Sequence, residues 1–127
     1  MAAAPGPIFR IHHAQITVAA SDLEAARSFY CNVLGMKEIP KPSSLQGRGG
    51  LWLAAGQHQL HIGIEENVNR STTRAHIAYE VRNLTQWQKH LQQTGVKVVD
   101  SVPVPGFTRF EFRDPFGNRV ELIEPQE

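Results

Sequence analysis

The sequence predicts an α+β fold of two paired βαβββ modules within one domain, and three observations carry the prediction. In each half, a strand-period run leads into a helix-period run, and three more strand-like runs follow. Landmarks of the halves superpose: Val18 on Val81 and His13 on His76 at an offset of 63, Gly35 on Gly95 and His61 on Glu121 at an offset of 60. The small decrease is what a shorter strand-to-helix connection in the second half produces. At 127 residues, the chain has the size of one domain that buries a core without disulfides or structural metal.

The first strand is IHHAQITV, from Ile11 to Val18. His12, Ala14, Ile16 and Val18 alternate with Ile11, His13, Gln15 and Thr17, so one face is polar. Ser21 and Glu24 have capping-box spacing, and Leu23, Ala26, Tyr30 and Val33 recur at helical intervals before Gly35. A helix from about Asp22 to Leu34 is expected. Met36 to Ile39 reads as a short strand, and the Pro-, Gly- and Ser-rich stretch from Pro40 to Gly50 as a loop or lid. LWLAA and QLHIGIE follow as strands joined at a turn near Gly56.

The second half repeats the order. RAHIAYEV is a strand, Asn83 a helix cap, and LTQWQKHLQQT a helix with Leu84, Trp87 and Leu91 inward and Gly95 as its stop. VKVVD, FTRFEFR and RVELIE are strands, the last two joined by the turn DPFGN. The expected organisation is a flexible N-terminus over residues 1–10 and one domain over 11–125. Module 1 covers about 11–66 and module 2 about 74–125.

Composition narrows the partners. With 41% hydrophobic and 20% charged residues the balance is that of a soluble globular protein. A formal net charge of +1 and no long basic run argue against nucleic acid or an anionic membrane surface and for a small-molecule partner. No run of about 18 apolar residues and no signal-peptide pattern is visible. Cys31, the one cysteine, sits in an amphipathic segment and reads as a half-buried structural thiol in a reducing, cytoplasmic compartment.

The superposition pairs four residues of metal-ligating type. His13 and His76 lie on the first strands of the modules, His61 and Glu121 on the last. Strand parity turns each away from the apolar face: His61 shares a face with Gln59 and Gly63, His76 with Arg74, Ala78 and Glu80, and Glu121 stands between Val120 and Leu122. Imidazoles with one carboxylate suit a single divalent transition metal (Zn, Ni, Co, Mn or Fe) better than Ca or Mg. By the same parity, Arg109 and Glu111 share the polar side with Trp52, Gln15 and Gln59 as candidate substrate-binding residues. Arg109 and Glu111 read equally well as a solvated cross-strand pair, and Trp52 as part of a dimer seam. His12 is assigned to the opposite face from His13, and His58 and His90 to the surface. No GxGxxG, Walker loop, CxxC or Ser/His/Asp spacing occurs.

The runs HHAQITVAASDLEAARSFYCNVLGM, LWLAAGQHQLHIGIEE, AHIAYEV and RFEFRDPFGNRVELIEP resemble the vicinal oxygen chelate superfamily, which includes glyoxalase I, bleomycin- and fosfomycin-resistance proteins and extradiol dioxygenases. The resemblance covers Ile11 to Pro125. It implies a curved mixed sheet whose concave cup holds a metal, helices on the outer face, and a homodimer. His13, His76 and Glu121 match the family's ligand positions. The fourth position, glutamate in typical bacterial glyoxalase I, is His61 here, which makes His61 a ligand or an acid/base. Glu121 and His61 are the implied catalytic residues. The implied function is a glyoxalase-like lyase or isomerase acting on a substrate that chelates the metal through neighbouring oxygens. An extradiol-type dioxygenase and a non-catalytic drug- or metabolite-binding protein are the alternatives.

Overall fold

The computed structural model describes residues 2–127. Module 1 contains β1 (His13–Val18), α1 (Leu23–Ser28), β2 (Lys37–Ile39), β3 (Leu51–Ala55) and β4 (His58–Ile64). Module 2 contains β5 (His76–Glu80), α2 (Leu84–Gln93), β6 (Val99–Asp100), β7 (Phe107–Arg113) and β8 (Arg119–Pro125). Two four-stranded sheets result, ordered β1-β4-β3-β2 and β5-β8-β7-β6. In each, the first strand pairs parallel to the last and the other pairings are antiparallel. The two sheets share no backbone hydrogen bonds, so β1 and β5 are both edge strands.

Sheet register bears out the superposition of the halves. Gln15 stands opposite His61 and Ala78 opposite Glu121, and these rows are related by the offsets of 63 and 60. The inward faces carry Leu51, Leu53, Leu60, Ile62, Phe110, Phe112, Val120 and Leu122, all at most 3% exposed. This is the burial that strict period-2 alternation predicts for a sheet with one covered face.

The helices differ from expectation in their shape and their caps. The first begins as a 3-10 turn (Ala20–Asp22), is α-helical over Leu23–Ser28 and widens to a π-helix over Phe29–Val33. Neither helix start uses the local cap predicted for it. Asn83 adopts a left-handed conformation (φ 62°) and its side chain caps nothing. Carboxylates from distant sequence replace them: Glu66 accepts from the Ala20 N–H at 2.6 Å, and Glu124 from the N–H groups of Asn83 and Leu84 at 2.8 and 3.2 Å. Ala20 and Asn83 are equivalent positions of the two modules, so each helix dipole is met by a glutamate at or after its module's last strand. Glu124→Ala is expected to cost about 1 kcal/mol, read as a lower urea midpoint with an unchanged slope.

The modules meet through the π-helical end of the first helix, Phe29–Val33. The Phe29 and Phe112 rings lie 6.3 Å apart, and the Tyr30 hydroxyl donates to Asp114 Oδ2 at 2.7 Å. Asp114 is 4% exposed and also accepts from the N–H of Phe116, the N–H of Asn118 and Asn118 Nδ2. Asn118 Nδ2 reaches on to the Thr17 carbonyl at 3.1 Å. Burial, and then the Asp114 charge, push the Tyr30 hydroxyl well above its ordinary range. The connection between modules is pinned rather than loose: Arg113 donates to the carbonyls of Arg70 and Thr73, and Arg119 to that of Arg74. Gly117 (φ +101°) allows this close approach, since a Cβ there would lie 2.9 Å from the Ser71 nitrogen.

Candidate metal centre

On module 1 the polar face is uncharged and aromatic. His61, opposite both Gln15 on β1 and Trp52 on β3, is 5% exposed. Its ring is sandwiched, 4.1 Å from the His13 ring at 16° and 4.0 Å from the Trp52 ring at 3°. Its Nε2 lies 2.9 Å from Gln59 Oε1, which fixes the ring orientation. Burial, and then the neighbouring His13 and His12, push its pKa down. Gln15 lies over β4 because residue 63 is glycine; a Cβ there would sit 2.8 Å from Gln15 Nε2.

On module 2 the same face is charged. Glu121 is directly opposite Glu111 in the β7–β8 register, an arrangement that repels unless cations intervene. Arg119 holds Glu111 at 2.6 Å, while Arg109 and His76 Nε2 both approach Glu121 Oε1 at 3.2 Å. The Arg119 hydrogen bond holds the Glu111 carboxyl below the usual range. Arg109 also donates from Nε and Nη2 to the Val102 carbonyl at 3.1 and 2.7 Å. Its guanidinium thereby braces the Glu121 carboxylate, which is itself 4% exposed.

The donor set fits a divalent transition metal in one specific way. His76 Nδ1 lies 3.0 Å from the Arg74 carbonyl, so Nδ1 carries the proton. Its Nε2 lies 3.2 Å from Glu121 Oε1. A ring nitrogen and a carboxylate oxygen at that separation can act as adjacent ligands of one cation. A backbone carbonyl holding the remote N–H is also the usual outer partner of a metal-bound histidine.

The predicted residues come together as two pairs, His13 with His61 and His76 with Glu121. Among the described residues no three His, Cys, Asp or Glu side chains converge closely enough to hold a metal ion. Each pair lies on its own sheet, at the base of a strand whose other edge is open. Trp52 and Gln59 both contact His61, Glu111 is held by Arg119, and Arg109 by Glu121.

β1 begins at His13, so strand parity does not govern His12, whose Nδ1 lies 3.1 Å from His13 Nδ1. His90 is half-buried and bonds the Val33 carbonyl at 2.7 Å, joining α2 to the end of the first helix, whereas His58 is exposed as expected. Arg119 was overlooked as a site residue, although it shares the Glu121 face by parity.

No curated protein matches the chain. Among solved structures, a glyoxalase family protein from Bacillus anthracis is 39% identical, with a TM-score of 0.89 over 97% of this chain and all of that one. A lactoylglutathione lyase from Agrobacterium tumefaciens (22% identity, TM-score 0.71, 94% of this chain and 96% of that one) shares the fold. So does the fosfomycin resistance protein FosX from Listeria monocytogenes, solved with Mn(II) and sulfate (18% identity, TM-score 0.76, 94% and 93%). The sequence model of one family matches residues 10–122, nearly the whole span of both modules. The chain belongs to the Glyoxalase/Bleomycin resistance protein/Dioxygenase superfamily.

Proposed function

We propose that the protein is a metal-dependent lyase or isomerase of the glyoxalase type, with each metal centre shared between two copies of the chain. The observation that carries the proposal is the separation of the ligands into two complementary half-sites. His13 and His61 offer nitrogen donors on one module; His76 and Glu121 offer nitrogen and carboxylate on the other. Two donors are too few for a stable transition-metal site, which takes three or four from the protein. A two-fold dimer brings each half-site against its complement and generates two identical centres.

In such a centre His13, His76 and Glu121 hold the metal, with His61 as fourth ligand or as acid/base. The metal supplies Lewis acidity toward neighbouring oxygens of a small substrate. The chain supplies the proton movement. Glu121, braced by Arg109, or His61, kept neutral by burial and oriented by Gln59, accepts a proton from the carbon beside the carbonyl and returns it to the neighbouring position. Trp52 and Gln15 wall the substrate side.

Protein purified without chelator should contain two transition-metal ions per dimer and, after loading with Zn, Ni, Co or Mn, turn over hemithioacetals. A dimer without bound metal that fails to turn them over would overturn the proposal. Oxygen uptake with catechols would instead assign the two-histidine, one-carboxylate set to ring cleavage. Ligand affinity unchanged by His76→Ala would assign the fold to sequestration.

A further inference from the structure

Between the modules lies a cleft of about 840 Å³ that reaches His76 at one end and is bordered by this chain's own Ile11. Leu34, Met36 and Leu60 form one wall, Ile77 and Tyr79 of β5 the other, and Glu80 stands at its rim. The β5 side is an open strand edge, since β5 pairs with β8 alone. An apolar wall beside an unpaired edge is the seat that an extended segment fills by strand addition.

The residues before β1 have the matching chemistry. Ile8, Phe9 and Ile11 are 93%, 93% and 71% exposed, in a stretch with no helix or strand of its own. Three large apolar side chains left in water within four residues mark a surface that is covered by something. Arg10 lies among them, and neither Arg10 nor Glu80 has a salt-bridge partner among the described residues.

We propose that residues 8–10 of one copy dock in this cleft of a second copy, with Ile8 and Phe9 against the apolar walls and Arg10 beside Glu80. The choice of a second copy rests on the shared centre proposed above. If His13 of one copy meets His76 of the other, Ile11 and Phe9 stand two and four residues upstream of that meeting point. At about 3.3 Å per residue they lie within roughly 7 and 13 Å of it along the strand direction. His76 itself lines the cleft. The segment therefore arrives at the partner's β5, whereas in its own chain Ile8 and Phe9 stand clear of any wall.

The test uses the full chain with Cys31→Ser, so that only introduced thiols react. Chains carrying Arg10→Cys are mixed with chains carrying Glu80→Cys and oxidised gently. The expected result is a disulfide-linked dimer in the mixture and little from either alone. A cross-linked species of monomer size in the Arg10→Cys, Glu80→Cys double variant would show the segment folding onto its own chain and overturn the proposal; so would no cross-link in a mixture that sedimentation shows to be dimeric. Deleting residues 2–10 should weaken the dimer at least roughly a hundredfold, since a two-fold dimer returns both Ile8 and both Phe9 side chains to water. An unchanged dissociation constant would overturn the docking and leave the shared metal centre standing. A full-length chain that stays monomeric when metal-loaded would overturn both.

Discussion

Glu121→Ala is expected to abolish stoichiometric metal binding, weakening it at least roughly a hundredfold. Were the proposed centre's three or four donors to share a binding free energy on the order of 10–16 kcal/mol, one would account for about 3 kcal/mol or more, and each 1.4 kcal/mol is tenfold. The substitution also costs fold stability. Glu121 is 4% exposed and takes both Arg109 and His76 on one oxygen, and removing it leaves a half-buried guanidinium beside a vacant corner. Breaking a buried pair in this way costs about 3–5 kcal/mol; the partial exposure of Arg109 and His76 brings the expectation to roughly 2–4 kcal/mol. Glu121→Gln separates the two effects. The amide oxygen still accepts from Arg109, so the urea midpoint should move by less than half as much, while a metal-competition titration shows the same loss of affinity.

Asp114→Ala is expected to be the most destabilising single change outside the apolar core, by roughly 3–5 kcal/mol. Its carboxylate accepts four hydrogen bonds, and no strongly basic side chain is among the donors. Without it the DPFGN turn loses the acceptor for two backbone N–H groups, and the buried Tyr30 hydroxyl loses its partner across the module boundary. Against a total stability of about 5–15 kcal/mol for a domain of ordinary size, such a loss approaches unfolding at room temperature. Asp114→Asn keeps one acceptor oxygen, enough for the two turn N–H groups now on Oδ1, and should fall between Asp114→Ala and the unaltered protein. Urea denaturation monitored by tryptophan fluorescence and far-UV dichroism together gives the ordering.

What the sequence made legible is what local periodicity controls. Leu60, Ile62, Phe110 and Phe112 alternate with polar residues or glycine, and that alternation settles which face of each sheet is buried. Gly35 and Gly95 mark equivalent helix ends, and their offset carries the register that sets Gln15 opposite His61 and Ala78 opposite Glu121. What escaped depends on contacts far apart in sequence. Glu66 and Glu124 cap helices that begin about 40 residues or more before them, so the local signatures at Ser21 and Asn83 misidentified the caps. His90 looked like a surface residue because its partner, the Val33 carbonyl, lies 57 residues away. His12 was misread for a simpler reason: the strand starts one residue after it. Four candidate ligands could be named from parity and symmetry. That they form two pairs depends on how the first helix, through Phe29 and Tyr30 of its π-helical end, joins the modules, which no periodicity encodes.

The shared centre is tested most directly by mixed dimers. Chains bearing His13→Ala and chains bearing His76→Ala, each with a different affinity tag, are co-expressed and the doubly tagged species is isolated. Each variant alone damages both centres of its dimer and should hold no metal stoichiometrically. In the mixed dimer one centre carries both substitutions and the other carries neither. One metal ion per mixed dimer, with about half of the unaltered protein's turnover, is the result predicted for centres built from two copies. A mixed dimer as empty as its parents would place every ligand of a centre within a single chain and contradict the account.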